Sequence, residues 1–220
     1  LTEAPSSARF FDSVARRYDR VYAPGPEETR RSLARVLHEL SPASRVLDLG
    51  VGTGRELPAL LDAGHSPVGL DASQEMLALC ARRSRPVPLV HGDLWGPLPW
   101  SDGAFDAVIA LHGTLSHPPS AEVRAAFPRE VARVLRPRGV FVAEVPTEQW
   151  LERAVDSRGG RLTMIDAGRA IHVDDATGAS VEVWALPEDG WRCLFEGVLC
   201  VRVEQVGDGE LLIVGKREGR

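Results

Sequence analysis

Lysine is nearly absent from this sequence. Lys216 is the only one, and every other basic residue is arginine. That bias reads as base composition rather than as a nucleic-acid footprint. Acids outnumber bases, the net charge is −5 and the pI is about 5.7, so no basic patch for a polynucleotide is expected. Cysteine is also scarce. Cys80, Cys193 and Cys200 form an odd set without CxxC spacing, which excludes a disulfide framework and a zinc ribbon and predicts reduced, mostly buried thiols in a cytoplasmic protein. No run of about 18 apolar residues exists, so no membrane span is expected. The opening "LTEAPSSARFFDSVARRYD" lacks the apolar core of a secretory signal. Internal repeats and low-complexity tracts are missing too. What is present is ordinary for a globular domain: 220 residues, 44% hydrophobic and 26% charged. That length suffices for one domain, residues 1–220, with a sizeable core.

Apolar periodicity then divides the chain. Phe10, Phe11, Val14, Tyr18 and Val21 share one helical stripe over about Ala8 to Val21. Pro26, followed by Glu27 and Glu28, starts a second helix that reaches about Leu40. From there short apolar runs alternate with helical ones. "RVLDLG", "PVGLD", "VPLVHGD", "FDAVIAL" and "GVFVAEV" read as five strands. "GRELPALLDAG" reads as a helix that loses a backbone bond at Pro58. "SQEMLALCARR" reads as a helix capped by Ser73, and Ser120 to Leu135 as one interrupted before Pro128. Alternation of this kind predicts a parallel sheet covered on both faces. The chain closes differently, with a short helix from Pro187 and an antiparallel hairpin, "VLCVRVEQV" and "ELLIVGKR", at the sheet edge. Between residues 147 and 186 lies an irregular insert, expected as a helix plus a hairpin. Ile171, Val173, Val181, Val183 and Ala185 are expected on its buried face, with Trp184 on the other, facing an acceptor pocket or an oligomer contact.

"VLDLGVGTGRE", Val46 to Glu56, carries the chemistry. A strand ends on an acid, and three glycines follow on alternate positions. Glycines there let backbone approach a ligand, and the next helix turns its positive end to the site. Asp48, Asp71 and Asp93 close three successive strands. In a doubly wound sheet those strand ends border the ligand crevice. A carboxylate after the second strand can accept from both hydroxyls of a ribose.

"VLDLGVGTG", "VGLDASQEML", "VHGDLWGPLPWSDGAFDAVIAL" and "EVARVLRPRGVFVAEV" together resemble the successive motifs of class I S-adenosylmethionine-dependent methyltransferases, in their small-molecule branch. The likeness is close over about Ser44 to Val145, and Arg138 stands where the family often has glycine. The resemblance implies a Rossmann-like α/β fold with a seven-stranded, mostly parallel sheet and an antiparallel C-terminal hairpin. It implies S-adenosyl-L-methionine as cofactor and S-adenosyl-L-homocysteine as product. It places Asp48 near the methionine ammonium, and Gly50, Val51, Gly52, Thr53 and Gly54 under the methionine and ribose. Asp71 would bind the ribose, Ala72 and Met76 flank the adenine, and Asp93 with the Leu94 backbone read its edge. Leu111 and His112 would border the sulfonium. Tyr18, and the helices of residues 1–40, would cover the cofactor.

A sulfonium methyl needs an acceptor held in line and, for some acceptors, a base. His112, His117 and Glu144 are the candidates, on the loops after the fourth and fifth strands; no metal site is expected. The insert, which follows the fifth strand, is expected on the acceptor side. The implied partner is a small-molecule methyl acceptor, with no nucleic acid and no membrane; the oligomeric state is left open. Two other readings remain. A nicotinamide-dependent oxidoreductase would carry Gly or Ala where Arg55 follows Gly54. A non-catalytic cofactor-binding module could use the same fold.

Overall fold

The computed structural model describes residues 6–22, 24–83, 85–154 and 159–219. The chain opens with α1 (Ser6–Val21) and α2 (Pro26–Glu39). It continues β1 (Arg45–Leu49), α3 (Leu57–Asp62), β2 (Ser66–Asp71), α4 (Gln74–Arg83), β3 (Leu89–His91) and β4 (Phe105–Ala110). A 3-10 turn at Thr114–Ser116 leads to α5 (Ala121–Val134), β5 (Leu135–Pro146) and α6 (Glu148–Arg153). Next come β6 (Gly160–Asp166), β7 (Arg169–Asp174), β8 (Ser180–Trp184), α7 (Glu188–Phe195), β9 (Cys200–Gly207) and β10 (Glu210–Lys216).

Seven strands form one sheet in the order β3-β2-β1-β4-β5-β10-β9. The first five are parallel, while β10 runs antiparallel to both β5 and β9. Strand order reverses between β1 and β4, and a doubly wound sheet opens its ligand crevice at such a switch point. Alternation along the strands fills both faces. Leu47 and Leu49 join Phe127, Val131, Trp191 and Phe195 of α5 and α7 in one core. Val46 and Ile109 join Val36 of α2 and Leu60 of α3 in the other. Burying each such side chain fully contributes about 1.5–3 kcal/mol. Of the first two helices, α2 therefore covers the sheet, and only α1 reaches the crevice.

Both proline expectations fail. α3 starts at Leu57, so Pro58 sits in the first turn, where no backbone bond is lost. α5 runs unbroken through Pro128. Its apolar side, with Phe127 and Pro128 buried, outweighs the missing bond. Arg138 takes φ 65°, a left-handed conformation that explains why glycine suits that position. Only Cys80 of the three free thiols is buried; Cys193 and Cys200 are exposed.

The insert corrects a further expectation. Residues 160–184 form a three-stranded antiparallel sheet, β6-β7-β8, rather than a hairpin; residues 155–158 of the insert lie outside the described ones, as do residues 1–5 of the opening segment. In β8, Val181 and Val183 are buried as expected, and so is Ala185 after it, but in β7 the faces are reversed. Ala170, His172 and Asp174 point inward, and Ile171 is exposed. Register requires it, because Ala170 lies opposite Val183 and His172 opposite Val181. Asp174, with no exposed surface, is tolerated there because it is fully partnered. Its oxygens accept from Arg17 Nη1 at 3.0 Å, Thr177 N at 2.7 Å, Thr177 Oγ1 at 2.8 Å, Ala176 N at 3.1 Å and the Tyr22 hydroxyl. The inner face of the insert thus docks on α1, where Phe10 and Val14 meet Val181.

Candidate active site

The strand ends build the crevice. Gly50 N and Val51 N both donate to Leu70 O, at 2.8 and 3.0 Å, which pins the glycine loop over β2. A Cβ at Gly50 would lie 2.6 Å from Thr114 Cγ2, so a side chain there would have to displace Thr114 and hold a strained φ of 68°. Gly54 serves differently from the expectation. A Cβ on it would meet Cys80 Sγ at 2.4 Å; it permits packing of the loop on α4 and does not line the crevice.

Asp71 organises the next layer. Its Oδ2 accepts from Gly52 N and its Oδ1 from Ser73 N, each at 2.8 Å. Burial pushes its carboxyl above the ordinary carboxylate range, and those backbone donors oppose the push. Ser73 caps α4 through Met76 N at 3.1 Å and donates to Asp12 of α1 at 2.6 Å. Thr53 donates to Asp19 of α1 at 2.7 Å. The loop, α4 and α1 are therefore tied together around one opening. Asp93 closes the far end, accepting from Trp95 N at 3.0 Å.

The strand ends, α1 and α4 border one opening. Tyr18, Asp48, Gly50, Val51, Gly52, Thr53, Asp71, Ala72, Met76, Asp93, Leu94, Leu111, His112 and His117 all line it. Glu144 does not; it lies behind His112.

Asp48 is buried, and its Oδ2 has no hydrogen-bond partner. Burial first, then the charges of Glu56 and Asp71, hold its carboxyl well above the usual range. Burial likewise raises the Tyr18 phenol. Sequence reading missed four further lining residues of note: Phe11, Arg55, Glu56 and Thr114. Arg55 places its guanidinium 5.9 Å from the centre of the Tyr18 ring, and its Nη1 is buried without a partner. Glu56 was visible only as the acid following that arginine. It accepts from His112 Nε2 at 2.9 Å. Burial opposes its ionisation, but His112 and Arg55 pull its carboxyl below the ordinary value.

The two histidines differ. His112 adopts φ 53°, a strained conformation of the kind that clusters at functional sites. Its Nδ1 lies 3.5 Å from Glu144 Oε2, and Arg35 Nη1 pairs with Glu144 Oε1 at 3.4 Å. Both ring nitrogens of His112 therefore face carboxylates. His117 Nδ1 lies 2.9 Å from the backbone carbonyl of Glu182, in β8. A carbonyl only accepts, so Nδ1 carries the proton and Nε2 keeps its lone pair. Burial pushes the His117 imidazole below the usual histidine value. Its ring meets Phe11 edge-on at 5.3 Å. Trp184 is not in the opening. The guanidiniums of Arg124 and Arg169 lie 4.9 and 5.1 Å from its ring centre. No cluster of metal-ligating side chains occurs among the described residues, nor does any of their helices have the length and apolarity to cross a membrane.

A family profile described as a methyltransferase domain matches residues 46–139. A demethylmenaquinone methyltransferase of Mycolicibacterium vanbaalenii is 40% identical over 219 residues, covering 88% of this chain and 92% of that one. Several further demethylmenaquinone methyltransferases match over less than two thirds of their own length. Among solved structures, the PH0226 protein of Pyrococcus horikoshii superposes with a TM-score of 0.74 at 23% identity, over 91% of this chain and 96% of that one. The 1,6-didemethyltoxoflavin-N1-methyltransferase of Burkholderia thailandensis, with bound 1,6-didemethyltoxoflavin and S-adenosylhomocysteine, superposes at 0.69 and 18% identity, over 97% and 88%. Those two agree in fold, and the 40% relative agrees in sequence across nearly the whole chain. This chain belongs to the class I S-adenosylmethionine-dependent methyltransferases and uses S-adenosylmethionine as its methyl donor.

Proposed function

We propose that the acceptor is a small molecule with a flat conjugated ring, and that His117 takes its proton. The carrying observation is the tautomer of His117, whose Nδ1 is committed to the Glu182 carbonyl at 2.9 Å. The other nitrogen is free to act as a base, and burial keeps the ring neutral near pH 7. His112 is the poorer base. Its two ring nitrogens are engaged by Glu56 at 2.9 Å and Glu144 at 3.5 Å, so neither is free for an acceptor. His112 and Glu144 act as positioning residues in this reading, fixing the wall beside Leu111.

Residues on the other side hold the donor. Asp48, with an unpartnered buried oxygen, accepts from the ammonium; Gly50 and Gly52 bring backbone close beneath the chain. Asp71 already accepts two backbone N–H bonds, yet a carboxylate has about four lone-pair sites, leaving two for the ribose hydroxyls. Ala72 and Met76 flank the adenine, and Asp93 with the Leu94 backbone meets its edge. When bound, the cofactor supplies a methyl group already activated on sulfur. The chain has only to align the acceptor, exclude water and remove one proton. The acceptor's lone pair forms the new bond to carbon, the carbon–sulfur pair stays on sulfur, and Nε2 of His117 keeps the proton.

Phe11 and Tyr18 supply aromatic walls suited to a ring. The relative named for demethylmenaquinone and the neighbour holding 1,6-didemethyltoxoflavin both point to ring acceptors. The test is an acceptor screen with purified protein, read as S-adenosylhomocysteine formed, in which hydroquinones and fused heterocycles compete with aliphatic amines. His117→Gln should lower turnover on the best acceptor by about 10²–10⁴-fold while homocysteine-product affinity stays within about threefold. Preference for aliphatic amines, or an unimpaired His117→Gln enzyme, overturns the reading.

A further inference from the structure

We propose that β6 is a docking edge for a second copy of this chain, the two strands pairing antiparallel about a two-fold axis at Thr163 and joining the two insert sheets into one of six strands. The proposal stands apart from the identity of the acceptor and of the base. Two features that proteins avoid leaving open coincide here. β6 is an edge strand, and among the described residues it pairs with β7 alone. An edge presents a row of unpaired backbone groups and is a template for a further strand. Met164, Ile165 and Ile171, at 36, 46 and 40% exposure, are the exposed large hydrophobics among the described residues, and all three lie on β6 or beside it on β7. Other edges are blunted. β3 has only three residues. β8 turns the carbonyl of Glu182 to His117. β9 commits Arg202 to Glu39 of α2 at 2.6 Å and to Glu204, and it exposes no large apolar side chain.

The strand is self-complementary in that register. Arg161 lies opposite Val173, Thr163 opposite Ile171 and Asp166 opposite Arg169, so Arg161, Thr163 and Asp166 share the outer face with exposed Ile171. The ladder shifts between Met164 and Asp166, which takes up Ile165 as an extra residue. With the axis at Thr163, Arg161 therefore meets Asp166 of the second copy. Thr163 meets its own equivalent, and Leu162 meets Met164 on the inner face. A two-fold contact uses one patch on both chains, so the ion pair forms twice. Opposite charges and threonines set directly across a strand pair stabilise it. Arg161 is exposed and has no acidic partner among the described residues. Asp166 is half-exposed and accepts from Arg169 Nε at 2.7 Å and Gly168 N at 3.1 Å, which leaves lone pairs for a second guanidinium. Charges on an edge strand commonly repel a newcomer. These two have opposite signs and lie at equal pleat steps from Thr163 once the bulge is counted. They attract an identical strand, and only an antiparallel one, since parallel approach would set Arg161 against Arg161. Pairing also covers Met164 and Ile165, and it braces the sheet whose β8 holds His117 through the Glu182 carbonyl.

Sedimentation velocity over a micromolar concentration series tests the proposal. Wild type should show a reversible monomer–dimer equilibrium. Arg161→Glu sets acid against acid at both ends of the contact, and Asp166→Arg sets arginine against arginine. Each variant alone should be monomeric where wild type is dimeric. Mixed in equal amounts, the two variants regain an opposite charge at both positions, and a heterodimer should form. Melting curves check that each is folded. Because Asp166→Arg also loses the bond to Arg169, Ile165→Lys at the exposed bulge serves as a further variant, and its dimer should appear only at higher concentration than that of wild type. A wild type that stays monomeric throughout overturns the proposal; co-sedimentation of that monomer with phosphatidylcholine vesicles would give the apolar edge to lipid instead. A dimer that survives both Arg161→Glu and Ile165→Lys places the contact on another surface and overturns it too, as do folded Arg161→Glu and Asp166→Arg chains that form no heterodimer.

Discussion

Asp174→Ala is the sharpest test of how the insert supports the cofactor wall. The Asp174 side chain has no exposed surface, and Arg17 opposite it is 22% exposed. Alanine would strand the Arg17 guanidinium and two backbone N–H groups of the 176–177 turn, and leave the Tyr22 hydroxyl only the Gly159 carbonyl. Removing one partner from a buried ion pair costs about 3–5 kcal/mol, a large share of a total stability of about 5–15 kcal/mol. For a chain of this size each kcal/mol moves Tm by roughly 2–4 °C, so a fall of roughly 6–20 °C is expected. Asp174→Asn, which keeps the shape and one acceptor, should lose less. The pH dependence carries the sign. Burial alone would raise the Asp174 carboxyl, but Tyr22, Thr177 and Arg17 hold it below its ordinary value. A depressed carboxylate stabilises the fold above its unfolded pKa, about 3.9, and that contribution is lost as pH falls through the folded value. The gap between wild type and Asp174→Ala should therefore be full at pH 7 and shrink below about pH 4. Because α1 brings Ser7, Ala8, Phe11 and Tyr18 to the opening, S-adenosylhomocysteine affinity should fall too. A variant that melts within about 2 °C of the parent and binds the product normally would refute the latch.

Other expectations follow from the same contacts. Asp71→Ala, which removes the proposed ribose acceptor and unties Gly52 and Ser73, should weaken cofactor binding by about 1.5–3 kcal/mol by isothermal titration. Asp93→Ala, with one backbone contact and a half-exposed carboxylate, should cost less; the reverse order would misplace the adenine. Trp184→Ala breaks two arginine–ring contacts and should lower stability by about 0.5–2 kcal/mol in urea, with cofactor affinity unchanged, because the ring is outside the opening.

The parallel sheet and its crevice were legible because they depend on local patterns: apolar runs of strand length, glycines at a strand end and three acids in step. The residues that line the opening from the strand ends lie near in sequence to those strands. What was not legible depends on partners far away. Ile171 and Val173 alternate as a buried strand face would, yet β7 buries Ala170, His172 and Asp174. The reason is Arg17 and Tyr22, contributed by α1 from the opposite end of the chain, which make a buried acid acceptable. Glu182 shows no signal at all, since only its backbone carbonyl acts on His117. Arg55 was in plain view, but a residue type after a glycine loop says nothing until its nitrogen is seen buried and unpaired.

The unpartnered oxygen of Asp48, the proposed acceptor for the ammonium, implies that cofactor binding moves a proton. In the free protein the Asp48 carboxyl is held well above the usual range, by burial and then by Glu56 and Asp71. A protonated carboxyl cannot take up an ammonium as its ion partner. Where pH lies at or below that raised value, binding has to expel a proton first. Affinity for S-adenosylhomocysteine should therefore climb as pH rises through the free-state pKa of Asp48, then level off. The free fold has the opposite sense. A raised carboxyl adds stability below its unfolded value, about 3.9, and that stability is lost as pH rises through the folded value. The thermal shift produced by the ligand should accordingly grow with pH over that window, because the ligand rises in affinity while the free protein weakens. Titrations in buffers of different ionisation enthalpy measure the proton directly. Net release with S-adenosylhomocysteine and none with 5′-methylthioadenosine, which has no ammonium, assigns the proton to the amino-acid end. Equal release with both ligands would move it to Asp71, whose carboxyl is also raised by burial and which is proposed to face the ribose common to the two.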